Sequence, residues 1–170
     1  MALRGKRVNA APLAELYARP GFLLRRAHQI AVGIFLRECA RAGLTPPQHG
    51  VLMAVAKHAG ISQSELARLL GFDRATVGQV VAGLEARALL RRSASDTDRR
   101  NHALALTAHG EKLIRQAAGA MQRTSDRLLS PFTRGEREVF MKLLTRLTTE
   151  LNDESRTPLG SRVDTPTSPS

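Results

Sequence analysis

The sequence predicts a mainly α-helical fold with one small β-hairpin, and three observations support this prediction. Apolar residues recur at helical spacing along most of residues 20–152. Residues that favour helix capping mark where several of these segments begin. One short segment, residues 102–107, alternates as a β-strand does, with Leu104 and Leu106 on one face. These observations favour a helical protein with a local pair of strands.

The composition is that of one folded domain with a basic surface. The chain has 170 residues, 42% of them apolar, and its 26 Lys and Arg against 15 Asp and Glu give a net charge of +11. A polyanionic partner is favoured over a membrane, because no helix has Trp or Phe opposite a basic face. The absence of a signal sequence predicts a cytoplasmic protein. Cys39 is the single cysteine, so neither an intramolecular disulfide nor a cysteine-rich zinc site is expected.

The first two predicted helices are indicated by different sequence signals. The first starts near residue 21, and its broad apolar surface, which includes Leu23 and Ile34, predicts burial against both a core and a second subunit. The second begins in "LTPPQHG", where Thr45 is the expected N-cap and Gln48 closes a capping box.

Two short capped helices come next and predict a helix-turn-helix. In "SQSELARLLGF", Ser62 is the N-cap, Glu65 completes a capping box, and Gly71 permits a left-handed end. In "FDRATVGQVVAGLEARALL", Asp73 caps the second helix. Two capped helices about three residues apart around a glycine are typical of this motif.

A β-hairpin and two further helices should complete the folded part. The segments "LLRRS" and "HALALT" flank a polar loop and predict two paired strands, which we call the wing. Thr133 and Glu136 form another capping box before the last helix. The leucine-rich stripe of that helix, which ends at Leu151, predicts pairing with the first helix of a second subunit.

The second helix of the helix-turn-helix can be phased from its sequence. Placing Val77, Val80, Val81 and Leu84 inward leaves an outer face of small residues. A glycine inside a helix costs about 1 kcal/mol relative to alanine, which close approach to a DNA duplex would offset. Relief of crowding against a neighbouring helix is the alternative. The residues of this motif that we predict at DNA are Ser62, Ser64, Arg74, Thr76, Gly78 and Gln79.

The loop of the wing, within "RRSASDTDRRNHALALT", combines arginines with aspartates. A loop that only attracts phosphate would bind better without a carboxylate. We therefore predict that Asp98 accepts hydrogen bonds that hold Arg99 or Arg100 towards a DNA minor groove. The alternative is a loose surface cluster worth about 0–1 kcal/mol.

The order of "LTPPQHGVL", "SQSELARLLGFDRATVGQVVAGLEARALLRR" and "DTDRRNHALALTAHGEKL" resembles the MarR family of winged helix-turn-helix transcription regulators, over residues 22–151. The resemblance implies an obligate dimer built from the first and last two helices and bound to a pseudo-palindromic operator. It places the helix of residues 73–87 in the major groove and the wing in the minor groove. It also implies Arg100 as the tip arginine, Asp98 as its structural companion, and Arg87 as the cation that supports the wing.

The resemblance divides the chain into a winged helix-turn-helix DNA-binding lobe, a helical dimerisation lobe and two loose ends. The Pro, Ser and Thr content of the C-terminus predicts disorder there. The predicted boundaries are 1–19 for a flexible N-terminal arm, 20–152 for the regulator domain, about 45–107 for its DNA-binding lobe, about 20–44 and 108–152 for its dimerisation helices, and 153–170 for a disordered tail.

The resemblance also suggests how the protein could be regulated. Many relatives bind a small aromatic acid between the dimer helices and the DNA-binding lobe, and Arg25, His28 and His49 are the candidates here, with a structural role as the alternative for each. Redox regulation through Cys39 is the other mode, although its place at the end of an apolar helix favours a buried thiol. The scattered histidines favour no metal site, and no cofactor is expected.

The function that we predict is a dimeric repressor that is released from DNA by a small aromatic acid. An enzyme is not expected, because the sequence has no nucleophile elbow, phosphate-binding glycine loop or H-E-x-x-H motif. A non-specific architectural DNA-binding protein is the alternative. It would share the positive charge and the wing but show little sequence preference.

Overall fold

The computed structural model describes residues 13–94 and 102–160. Its elements are α1 (Ala14–Ala18), α2 (Pro20–Glu38), α3 (Pro46–Lys57), α4 (Gln63–Leu70), α5 (Arg74–Ala86), β1 (Leu90–Ala94), β2 (His102–Leu106), α6 (Ala108–Leu128) and α7 (Arg134–Glu150). A short 3₁₀ helix, Asn152–Glu154, follows α7. Within the described ranges, none of the helices is both long and apolar enough to span a membrane. The fold is mainly α-helical with one small hairpin, as predicted.

The helices begin at the caps that the sequence predicts. Thr45, Ser62 and Thr133 each form a complete capping box with the residue three positions later. Asp73 accepts a hydrogen bond from the Thr76 backbone N–H at 2.7 Å. At the end of α4, Gly71 has φ of 62°, in the left-handed region that favours glycine. Local capping therefore sets the boundaries of the helix-turn-helix, α4 and α5.

One hydrophobic core holds α3, α4, α5 and the hairpin together. The largest side chains buried in it are Leu52, Leu66, Leu84, Leu89 and Leu104, each fully excluded from solvent. They come from three helices, from the connection after α5 and from β2. This region buries its apolar residues within a single chain.

The hairpin is attached to the rest of the lobe at its base. Its strands are antiparallel, with Leu90 opposite Leu106. On the other side of β2, the Leu104 N–H donates to the Ile61 carbonyl at 3.1 Å, and the Leu104 carbonyl accepts from the Gly60 N–H at 3.0 Å. Where the chain enters α6, a Cβ atom on Gly110 would overlap the Leu89 carbonyl oxygen, so only glycine fits there.

The second, smaller core lies between α2 and α6. Phe35 of α2 and Cys39, directly after that helix, pack there against Ala120 of α6. An ion pair between Glu38 and Arg123, 2.8 Å long, links the same two helices at the surface. The long helix α6 therefore connects the winged lobe to the C-terminal half of α2.

Both chain ends differ from the predicted loose segments where the structure describes them. Helix α1 lies within the predicted flexible arm of residues 1–19. Residues 153–160, predicted as part of a disordered tail, return to the helix-turn-helix, where the Gly160 N–H donates to the Arg68 carbonyl at 2.9 Å. The segment docks through hydrogen bonds to backbone carbonyls, which a composition poor in large apolar residues does not reveal. The predicted tail from residue 161 onwards lies outside the described residues.

Candidate nucleic-acid interface

The outer face of α5 is flat and exposed. Val77, Val81 and Leu84 are fully buried on its inner face, whereas Ala75 and Gln79 are exposed on the opposite one. A Cβ atom added at Gly78 or Gly83 would meet no described heavy atom within 4 Å. Crowding within the described chain therefore does not require either glycine. The small outer face can approach a large rigid partner closely.

The N-terminal end of α5 has both a fixed cap and exposed polar groups. The Asp73 carboxylate accepts from the backbone N–H and from the hydroxyl of Thr76, both at 2.7 Å. The backbone bond, and then the hydroxyl bond, hold the pKa of Asp73 below its usual value, so the cap stays ionised at neutral pH. Arg74, the first residue of α5, and Ser64 of α4 have exposed side chains.

Some of the residues predicted to contact DNA already form side-chain hydrogen bonds within the chain. Ser62 donates its hydroxyl hydrogen to Glu65 at 2.7 Å and accepts from the Glu65 N–H, and Thr76 donates its own hydrogen to Asp73. These two hydroxyls stabilise helix ends. Among the predicted contacts, Arg74 and Gln79 have the longest side chains, and both are exposed.

The described residues include a link to the wing that the sequence did not predict. Arg87 donates to the Gly43 carbonyl at 2.8 Å and to the Ala42 carbonyl at 3.1 Å, in the connection between α2 and α3. An ion pair, 2.9 Å long, between Glu85 and Arg92 of β1 links the wing to α5, the recognition helix of the motif. The seven-residue separation of this pair crosses a helix end and a turn, so no helical or strand periodicity marks it in the sequence. A bond from Arg87 to Asp98 stays a prediction.

The tip of the wing lies outside the described residues. Asp98, Arg99 and Arg100 all fall there, and their roles therefore stay predictions. What the structure describes is the platform below them, since β1 and β2 continue to Ala94 and from His102.

The three candidate ligand-binding residues do not meet at one point in the single chain. The Arg25 guanidinium lies 4.9 Å from the centre of the Phe22 ring, and His28 is exposed on the same helix. His49 of α3 is half-buried, with its ring edge-on to Phe35 at 5.8 Å. Burial lowers the pKa of His49, which favours the neutral imidazole. Phe35 lies two helical turns beyond His28, so His49 and His28 occupy different levels of α2.

Cys39 has the environment of a structural thiol. Its side chain is only 1% exposed. Burial, and then the negative charge of Glu38, raise the pKa of the thiol. A protonated, enclosed thiol reacts slowly with oxidants, which disfavours the redox alternative. Among the residues that the structure describes, no three His, Cys, Asp or Glu side chains come together as metal ligands would.

A cleft that the sequence did not predict lies beside the N-terminal end of α5. Its volume is about 260 Å³, and its lining includes Ser64, Arg74, Thr157 and Pro158. The C-terminal segment thus lies next to the candidate interface. No motif pointed to this arrangement, because it joins residues about 90 positions apart through backbone contacts.

A capped helix-turn-helix followed directly by a hairpin defines a winged helix-turn-helix DNA-binding protein. A sequence profile described as "MarR family" matches residues 42–101. The chain is 34% identical, over 165 residues, to a putative transcriptional regulatory protein for the hcr operon of Thauera aromatica, a match that covers 94% of this chain and 97% of that one. The chain belongs to the MarR family of transcriptional regulators. The members that it resembles are regulators and not enzymes.

Two solved structures of similar fold concern DNA binding. One is the transcriptional repressor CouR bound to a 23-mer DNA duplex, with 30% identity, a TM-score of 0.75, and coverage of 84% of this chain and 99% of that one. The other concerns the regulation of DNA binding of BpsR from Bordetella bronchiseptica by 6-hydroxynicotinic acid. It has 29% identity, a TM-score of 0.73, and coverage of 78% of this chain and 95% of that one.

Proposed function

We propose that this protein is a dimeric repressor that binds a pseudo-palindromic operator and is released by a small aromatic carboxylate. The outer face of α5 carries the proposal, because its small residues let the helix enter a major groove while Arg74 and Gln79 contact phosphates or base edges. The wing would then reach an adjacent minor groove with Arg99 or Arg100, positioned by Asp98. The similar fold of CouR bound to a DNA duplex supports this arrangement.

Unpaired apolar faces support the dimer. No residue of α7 is buried within the described chain. The N-terminal half of α2 is also exposed, and Leu23, for example, has 54% of its surface accessible. Exposed apolar surfaces of this extent on two helices are typical of a subunit interface. The exposed apolar residues of these helices are Leu23, Leu24, Ile30, Leu36, Val139, Met141, Leu143 and Leu147.

The ligand part of the proposal depends on assembly of the dimer. Arg25 and His28 project from the exposed half of α2, where a second subunit would cover them. An aromatic carboxylate needs a cation and an apolar wall, which Arg25 and the Phe22 ring provide together. The structure of BpsR, whose DNA binding is regulated by 6-hydroxynicotinic acid, supports a ligand of this class. A ligand that fits one spacing of the two DNA-binding lobes would shift the population away from the DNA-bound form.

A salt series on the wing variants tests the operator-binding proposal. We would measure binding of the unmodified chain, Asp98→Ala and Arg100→Ala to the protein's own upstream DNA and to a random duplex of equal length. Removal of Asp98 adds one unit of positive charge, so a purely electrostatic wing predicts tighter binding. A positioning role predicts that Asp98→Ala weakens operator binding about as much as Arg100→Ala does. Equal affinity for the two duplexes would favour the architectural alternative.

Thermal shift and DNA release with a panel of aromatic carboxylates test the ligand. The panel includes 6-hydroxynicotinic acid, and a benzyl alcohol of similar size controls for the carboxylate. The matched variants are Arg25→Gln and Arg26→Gln, since both positions are exposed arginines on α2. We expect a stabilising acid to lose its effect in Arg25→Gln only. If no acid stabilises the protein or changes its DNA binding, this part of the proposal is wrong.

A further inference from the structure

The chain makes a closed turn after α7. The side chain of Asn152 donates to the Leu159 carbonyl at 3.2 Å and accepts from the Leu159 N–H at 2.9 Å. One amide therefore satisfies both backbone groups of a residue seven positions later. These two hydrogen bonds fix the path of residues 152–159.

The same segment supplies partners for the open end of α4. The last carbonyls of a helix lack partners within the helix. Here the Gly160 N–H donates to the Arg68 carbonyl at 2.9 Å, and the Thr157 hydroxyl donates to the Gly71 carbonyl at 2.7 Å. The C-terminal segment thus extends the cap of α4 at the turn of the helix-turn-helix.

The packing at this turn is close. A Cβ atom on Gly71 would lie 3.1 Å from the Thr157 carbonyl oxygen and 3.2 Å from Cδ2 of Leu159. Gly71 is therefore constrained twice, by its left-handed φ and by the segment that covers it. Close packing and hydrogen bonds at one point distinguish a docked segment from a passing chain end.

The docked segment connects two parts of the molecule with different roles. At one end it continues from α7, which has no buried residue in the described chain. At the other end Thr157 and Pro158 line the same cleft as Ser64 and Arg74, which remain exposed. The segment therefore holds the turn beside the N-terminal end of α5 without covering it.

We propose that residues 152–160 form a strap that ties the end of α7 to the helix-turn-helix and fixes the orientation of α5 relative to the dimerisation helices. This inference rests on the proposed function, since it assigns α7 to the dimer and α5 to DNA. With the strap docked, a displacement of α7 moves the recognition helix. In the proposed dimer, α5 of each subunit reads one half-site. Without the strap, the spacing between these two helices is less well fixed, and operator affinity falls.

Because the strap is charged, the direction in which its removal changes DNA affinity is informative. Asp153 and Glu154 contribute two negative charges and Arg156 one positive charge, so residues 152–160 carry a net charge of −1. Removing them makes the protein more positive, and electrostatic attraction alone predicts tighter DNA binding. The strap predicts weaker binding instead.

Two truncations test the strap in the otherwise complete chain. One ends after Leu151, and the control ends after Gly160, which removes residues with one positive and one negative charge, Arg162 and Asp164. For the chain that ends after Leu151 we expect at least about fivefold weaker operator binding than for the control, with an unchanged salt slope and an unchanged dimer. Amide hydrogen exchange in residues 63–73 should become about tenfold faster. Equal or tighter operator binding by the shorter chain would overturn the proposal.

Point variants keep the test decisive if the shorter chain does not fold. Thr157→Val removes the hydroxyl that donates to Gly71, and Thr157→Ser keeps it. We expect Thr157→Val alone to speed exchange in residues 63–73 and to weaken operator binding. Identical behaviour of the two variants in both measurements would also overturn the strap.

The proposed function and the strap fail in different ways. If the full chain binds operator and random duplex equally, the operator-specific function is wrong. If it prefers the operator but the exchange rates of the two truncations agree, the function stands and the strap is wrong.

Discussion

The winged lobe and the helices at the chain ends use similar residues with different results. Leu84 of α5 and Leu143 of α7 both belong to apolar stripes at helical spacing, yet Leu84 is fully buried and Leu143 is 51% exposed. The winged lobe closes its core within one chain because three helices and a hairpin surround it. None of the other described residues buries a side chain of α7. Apolar periodicity thus predicts that a face will be buried, but not whether the same chain buries it.

The largest effect should come from a charge placed on the exposed stripe of α7. We expect Leu143→Lys to dissociate the proposed dimer and to weaken operator binding about a hundredfold, because each half-site is then bound separately. Sedimentation and DNA titration at the same protein concentration measure the two effects. Thr145→Lys, on the polar side of the same helix, should leave both unchanged. A dimeric Leu143→Lys protein would show that α7 is not part of the interface.

A cavity in the winged lobe should destabilise the fold at any protein concentration. For Leu84→Ala we expect a loss of about 2–5 kcal/mol in the free energy of unfolding, because the side chain is fully buried. Leu143→Ala should instead cost more stability as the protein is diluted, since its burial needs a second subunit. Urea unfolding at two protein concentrations separates the variants. A concentration-dependent loss for Leu84→Ala would remove the distinction between the two regions.

The cap of α4 should contribute less than the core. Ser62→Ala removes the hydroxyl that accepts from the Glu65 N–H, and we expect a loss of about 1 kcal/mol in unfolding free energy. Ser64→Ala, an exposed position in the same helix, should stay within about 0.5 kcal/mol. If Ser64→Ala weakens DNA binding while leaving stability unchanged, the two serines have separate roles, and if it leaves DNA binding unchanged, the predicted contact of Ser64 is wrong.

The smallest effect should be a pH dependence of the folding stability that comes from His49. Burial lowers its pKa in the folded protein below the ordinary value of 6.5. The unfolded chain therefore binds more protons just below that value, and stability must fall as the pH drops through this range. Melting temperatures at pH 7.5 and 5.5 should differ less in His49→Gln than in the unmodified protein. The exposed His28→Gln is the control, and an unchanged pH dependence in His49→Gln would exclude this cause.

Much of the fold could be predicted because its signals are local. Ser62, Asp73 and Thr133 lie directly before the helices that they cap, and Leu104 alternates with its neighbours as a strand requires. The phase of α5 followed from the same periodicity, since Val77 is buried where the sequence placed it.

What escaped prediction depends on contacts between distant residues. The Glu85 to Arg92 ion pair crosses the junction of two kinds of secondary structure. The bonds of Arg87 to the α2–α3 connection, and of Gly160 to Arg68, are made to backbone carbonyls, which every residue has. A sequence does not show which carbonyl a donor will reach. The assignment of Arg25, His28 and His49 to a ligand site stays a prediction.

The way the hairpin is fixed at its base has a consequence for how such a protein can diversify. Both strands are held below the tip, β1 through Arg92 and β2 through Leu104, and neither attachment involves the residues between the strands. These two attachments can therefore persist while the tip is exchanged or lengthened during evolution. A library that randomises residues 95–101 should yield folded proteins with altered operator preference, which makes this hairpin a suitable position for re-engineering DNA recognition.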